Sequence, residues 1–197
     1  MSAAGRIAPA VVLAAAAAFV RGQGTERVKQ AAYARVALAK ALAADPELVS
    51  AVAAKNAEGE STETIRRRDR DWAGPASAPR RKALTQRPCG RRLRDLIKGD
   101  PLVAEAILMD ARGANVCLSR ETTDYWQGDE AKWRKTFLEG REVLVEEPAE
   151  DTSAGVFAVQ LSVPVLDKGR RIGALCLTLK VRKDAIRPNP TTERGAR

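Results

Sequence analysis

VFAVQLSVPVLDKGRRIGALCLTLKV, residues 156 to 181, decides the fold. In its first arm Phe157, Val159, Leu161 and Val163 alternate with Ala158, Gln160 and Ser162. That two-residue period is a strand with one apolar and one mixed face. Asp167-Lys168-Gly169 is a turn signal, and Ile172 to Val181 is a second apolar arm with Gly173 near its start. The two arms read as a β-hairpin.

Working outward, Ala104 to Met109 is a short apolar run, Asp110-Ala111-Arg112-Gly113 a turn, and Asn115 to Leu118 a returning arm. Glu142 to Glu146 alternates with Val143 and Val145 on one face. This makes five strands joined mainly by tight turns, hence an antiparallel sheet. A polar, aromatic insertion, Ser119 to Gly140, separates the second strand from the third. Upstream of the strands the period changes. Ala31, Ala34, Leu38, Leu42, Leu48, Val49 and Val52 recur at helical intervals within a region from Thr25 to about Trp72. Asp45 caps a new helix at Pro46, Asn56 to Gly59 marks a turn, and Ser61 with Thr64 opens a short helix. Gly74 to Pro79 reads as a loop, and a further helix runs from about Pro88 to Lys98. The fold class is therefore α+β: a five-stranded antiparallel sheet with a long N-terminal helix, whose helical layer covers one sheet face. The insertion is the natural place for a pocket.

The ends and the composition bound the function. Met1 to Gly22 carries one early charge, Arg6, and then an apolar, alanine-rich stretch from Ile7 to Val20, shorter than a membrane span. It reads as a signal peptide or an uncleaved N-terminal anchor. Residues 23 to 185 form one domain, and 186 to 197 a flexible tail. The expected location is periplasmic or secreted. The chain has no histidine, which removes the commonest general base, the commonest metal ligand and the Ser-His and Cys-His nucleophile pairs. Cys89, Cys117 and Cys176 form no CxxC pair, and which two of them pair, if any, stays open. Residues 66 to 98 hold twelve Lys or Arg against three Asp. Behind an export signal and without interleaved aromatics, that run reads as a solvated face, not a nucleic-acid surface. No nucleic-acid partner, cofactor or metal is expected.

Met109-Asp110-Ala111-Arg112-Gly113-Ala114-Asn115-Val116 resembles the first hairpin of Cache sensor domains. Thr123-Asp124-Tyr125-Trp126-Gln127-Gly128-Asp129-Glu130-Ala131-Lys132-Trp133 is similar to a block of small, exported, stand-alone Cache proteins. Val163-Pro164-Val165, the turn at Asp167 to Gly169 and Ile172-Gly173-Ala174-Leu175 resemble the closing hairpin of that family. Lys55-Asn56, Ile65 and Asp69 to Trp72 fit its helical part, so the resemblance covers roughly residues 30 to 182. It implies a PAS-like sheet outside the cytoplasm that binds amino acids, carboxylates or similar metabolites. It also implies a membrane-bound signalling partner.

The block has what a small-ligand pocket needs. Tyr125, Trp126 and Trp133 are three of the chain's eight aromatic residues, within nine positions. They offer apolar walls and a face for a ligand ammonium. Asp124 and Asp129 can receive an amine, and Lys132 or Arg120 can hold a carboxylate. Gln160 and Ser162, on the less apolar face of their strand, can reach the same cavity, with Asn115 a weaker candidate. Each has a plainer reading. Asp129 can cap a helix from Glu130 to Phe137, and Trp126, Trp133 and Phe137 can pack that helix onto the sheet. Nothing pairs a nucleophile with a base, so an enzyme is not expected. The alternative to a ligand-binding module is a ligand-free structural or protein-interaction module of the cell envelope.

Overall fold

The computed structural model describes residues 24 to 186 apart from 153. The export segment expected at 1 to 22 and the tail expected from 186, beyond its first residue, lie outside the described residues. Helical backbone at 24–33 (α1) is followed by Val36–Ala43 (α2) and Pro46–Ala57 (α3). The break at Asp45 is present: its carboxylate accepts from the Glu47 and Leu48 amides, and Pro46 stands in the first turn. Ser61 caps Thr62–Arg70 (α4) through the Thr64 amide. The expected loop at 74 to 79 is shorter. A 3-10 turn, Pro75–Ser77, runs directly into helix Ala78–Gln86 (α5), and Pro88–Ile97 (α6) follows. Pro79 hides α5 from a composition reading, yet it sits in the first turn, where a missing amide donor is tolerated.

The strands are Val103–Asp110 (β1), Asn115–Leu118 (β2), Leu144–Val145 (β3), Ala149–Asp151 (β4), Val156–Asp167 (β5) and Arg170–Arg182 (β6). They form one antiparallel sheet in the order β2-β1-β6-β5-β3, with β4 also on β5. All five expected strands are present, and the added β4 has three residues, too few to show an alternation. At the β5–β6 turn Lys168 and Gly169 both take positive φ, 48° and 80°. That is the primed-turn geometry whose twist matches a hairpin.

Cross-strand partners share a face, so the register sorts the core. One face carries Leu108, Leu175 and Val163 in one row and Ala106, Leu177 and Leu161 in the next. Ala32, Leu42, Leu48 and Val52 from the N-terminal helices and Leu93 and Ile97 from α6 close over these rows. Burying each large aliphatic side chain contributes roughly 1.5–3 kcal/mol, so this face holds the sheet and the helical layer together. A disulfide between Cys89 of α6 and Cys117 of β2 ties the same two layers covalently, and Cys176 is left free and buried.

The inserted segment and α4 cover the other face. Trp72, Tyr125, Trp133, Ile65 and Leu84 pack there on Ile107, Met109 and Cys176. Within the insertion, one helical turn, Ala131–Trp133 (α7), passes into a π-helical stretch, Arg134–Leu138, in place of the expected regular helix from Glu130. Trp133 and Phe137 stack at 5.1 Å and pack against the sheet. Asp129 is exposed and does not cap this helix; Glu130 holds the cap position, without a side-chain bond.

Candidate ligand-binding site

The turn after β1 positions the insertion. Asp110 is buried at 1% exposure, and its carboxylate accepts from the Arg112 and Ala114 amides. Burial still pushes the Asp110 carboxyl above the usual carboxylate range. Gly113, at φ 80°, lets the tip approach the insertion: an added Cβ would meet the Gly128 Cα at 2.5 Å, and the Gln127 amide bonds the Gly113 carbonyl at 2.7 Å. From α4, Asp69 accepts from the Tyr125 and Trp126 amides at 2.8 and 2.9 Å. The three aromatic residues are thereby fixed. The Trp126 indole donates to the Arg112 carbonyl, with the Arg66 guanidinium 4.8 Å over its ring. The Trp133 indole donates to the Asp110 carbonyl, and Tyr125 lies 5.0 Å from Trp72 with its hydroxyl bonded to Glu60.

The predicted site residues do not all meet in one place. Lys132, Gln160 and Ser162 come together over the sheet. Tyr125 and Asn115 line a cavity at the β2 edge instead. The Asp124 and Asp129 side chains are exposed, and the Asp124 carbonyl accepts from the Asn115 side-chain amide. Trp126 and Trp133 spend their indole donors on the β1–β2 turn.

Over the sheet the register builds a polar row. Glu105 of β1 stands opposite Thr178 of β6, and Thr178 opposite Gln160 of β5. The Glu146 amide then bonds the Gln160 carbonyl at 3.0 Å, one step beyond the Leu144–Ser162 and Val145–Leu161 pairs. Glu105, Thr178, Gln160 and Glu146 thus run across three strands and the residue just after β3 on one face, all half-buried. The next row, Ile107, Cys176, Ser162 and Leu144, is fully covered. The sequence reading missed Glu105 and Thr178. The signal for Glu105 was a charge inside the run from Ala104 to Met109, at a position meant to be packed.

Above this row sits Lys132, buried at 5% exposure, its ammonium 2.9 Å from Glu130. Burial alone would lower its pKa. The carboxylates of Glu130 and Glu105 reverse that and hold the ammonium charged. Burial raises the Glu105 and Glu146 carboxyls, against the pull of Arg120 and Lys132 on Glu105 and of Lys132 on Glu146. The Cys176 thiol, wholly buried, is pushed up to about 12, so it stays a neutral thiol. Beside Glu105 and Thr178 an open depression of about 260 Å³ is walled by Arg120, Thr122, Thr123 and Lys180. Donors and acceptors of both charges therefore converge on one partly covered strand face.

No family model and no curated protein sequence matches the chain. Among solved structures it matches the sensor domain of the V. cholerae histidine kinase DctB, at 16% identity and a TM-score of 0.46, over 90% of this chain and 58% of that one. It also matches the ligand-binding domain of the Pseudomonas aeruginosa PAO1 amino acid chemoreceptor PctC in complex with GABA, at 17% and 0.44, over 80% and 57%. A third match is the sensory domain of the Campylobacter jejuni chemoreceptor Tlp3 with isoleucine bound, at 15% and 0.37, over 80% and 62%. The chain spans less than two thirds of the length of each of these. These three are sensor or ligand-binding domains of a histidine kinase and of two chemoreceptors.

Proposed function

We propose that this protein is an extracytoplasmic, non-enzymatic sensor module that binds an amino acid, a carboxylate or a similar small metabolite for signal transduction, through a membrane-bound partner. The observation that carries the reading is the polar row Glu105–Thr178–Gln160–Glu146 beneath the buried Lys132, opening beside Arg120. Buried polar groups without a ligand lower stability and are retained where they serve binding. In this reading Arg120 and Lys132 hold a carboxylate, Glu105 and Gln160 face an amine or hydroxyl, and Tyr125, Trp126 and Trp133 keep the insertion in place over the row. The Cys89–Cys117 disulfide supports a location outside the cytoplasm, because reducing compartments keep such pairs as thiols. No helix of the described residues is long and apolar enough to cross a membrane.

The test is a thermal-shift screen of the protein against amino acids, small carboxylates, amines and purines. A ligand at 100 times its Kd adds about 2.7 kcal/mol of stability. The expected result is a saturable shift that disappears in Arg120→Gln and in Gln160→Ala, with circular dichroism unchanged. A specific observation favours the alternative of a ligand-free structural or interaction module: the polar atoms of Tyr125, Trp126 and Trp133 are already satisfied internally. An empty screen moves the reading there.

A further inference from the structure

A second cavity lies at the β2 edge and shares no lining residue with the depression over the polar row. It holds about 250 Å³, and Lys55 of α3, Arg68 of α4, Arg80 of α5 and Arg87, just beyond α5, reach it together with Glu58, Asn115 and Tyr125. Two of the four cations are already neutralised. Lys55 binds Glu58 and Glu60 at 2.5 and 2.9 Å, and Arg68 binds Glu60 at 2.5 Å. The other two are not. Arg80 has no ion pair among the described residues, and Arg87 reaches only the Val116 carbonyl, at 3.4 Å. Two guanidinium groups therefore border the cavity without an ion pair, and the one carboxylate in the same wall, Glu58, is bound by Lys55.

Asn115 is an independent observation in the same wall. It is fully buried, and its Nδ2 donates to the Asp124 carbonyl at 2.8 Å. Its Oδ1 has no hydrogen-bond partner among the described residues. A buried acceptor left unmet is costly, and the group it lacks is a donor. An occupant that answers the whole wall must carry negative charge for Arg80 and Arg87 and an N–H or O–H for Asn115. An adjoining space of about 360 Å³, again bordered by Lys55, Glu58 and Arg87, leaves room for more than a single anion.

We propose that the β2-edge cavity is a second binding site, for a small carboxylate that bears a hydroxyl or ammonium donor. The carboxylate bridges Arg80 and Arg87, and the donor meets Asn115 Oδ1. Guanidinium forks suit carboxylate geometry, and a buried polar atom strongly rejects an analogue lacking its partner.

Calorimetric titration of the full chain with L-malate, L-aspartate and succinate tests this. L-Malate offers a hydroxyl, L-aspartate an ammonium, and succinate neither. L-Malate or L-aspartate is expected to bind saturably and about tenfold or more tighter than succinate. The double variant Arg80→Gln, Arg87→Gln, at two exposed positions, weakens that binding about tenfold or more with circular dichroism unchanged. Arg120→Gln leaves it as it was, which separates this site from the one over the polar row. The proposal is overturned if succinate binds as well as the other two, or if none of the three binds. Binding that survives the double variant but is lost in Arg120→Gln overturns it as well.

Discussion

The two faces of the sheet are made from the same strands and do opposite work. On the helical face, Leu108, Leu175, Leu177, Leu161 and Val163 meet the apolar stripes of the helices, and the polar groups beside them, such as Asp45 with Arg92, are paired. On the face under the insertion, apolar packing holds around Trp72, Tyr125 and Trp133 and then gives way to Glu105, Thr178, Gln160 and Glu146. A helix with a continuous apolar stripe seals a face from end to end. A loop segment with one helical turn and a π-helical stretch seals only part of it, and the uncovered part stays polar. The sealed apolar face thus lies on one side of the sheet and the partly covered polar row on the other.

The largest test of that contrast is Leu177→Ala, which opens a cavity in the sealed face. It is expected to lower unfolding free energy by about 4 kcal/mol in a denaturant titration. A loss no larger than that of a polar-row substitution would break the comparison. Replacing both Cys89 and Cys117 by serine comes next. The bridge spans a sequence separation of 28, for which chain entropy gives roughly 3 to 4 kcal/mol. Reductant should lower Tm to a similar extent, because the bridge acts on the unfolded chain while packing of the sealed face is untouched.

The smallest effect has the opposite sign and sharpens the contrast most. Burial holds the Glu105 carboxyl above its ordinary value, so the folded state penalises its charged form. That penalty acts above the folded pKa and fades as pH falls toward the unfolded value. Glu105→Gln is therefore expected to stabilise the protein at neutral pH, by roughly 0.5 kcal/mol or less, and the gain shrinks in acid. At the helical layer the sign reverses. Burial raises the Asp45 carboxyl, but the Arg92 guanidinium and the Leu48 and Glu47 amides outweigh it, and the net shift is downward. Asp45 contributes stability above its unfolded pKa that is lost as pH falls through the folded one. Measuring wild type and Glu105→Gln across pH 3 to 8 checks both directions.

Much of this was legible because it is local. The alternation of Phe157, Val159, Leu161 and Val163 is fixed by the two-residue pleat, and Asp45, Pro46 and Ser61 act within a single helical turn. The hairpin turn at Lys168-Gly169 depends on two adjacent residues. α5 was hidden because Pro79 looks the same in a loop as in a first helical turn. β4 was hidden because three residues carry no period. The aromatic block was found, but Asp69 holds its backbone and its side chains turn inward onto Glu60 and the β1–β2 turn.

By itself, then, the sequence determined the fold class, the order of strands along the chain, the caps and the residue types available for binding. These follow from backbone geometry and from contacts a few residues apart. Only the tertiary structure decided that Cys89 pairs with Cys117, that Glu105, Thr178, Gln160 and Glu146 form one row, and that Tyr125 and Asn115 line a cavity at the β2 edge, away from that row. Each of these depends on strand register and on the placement of elements distant in sequence. A one-residue slip in register would send the row to the opposite face.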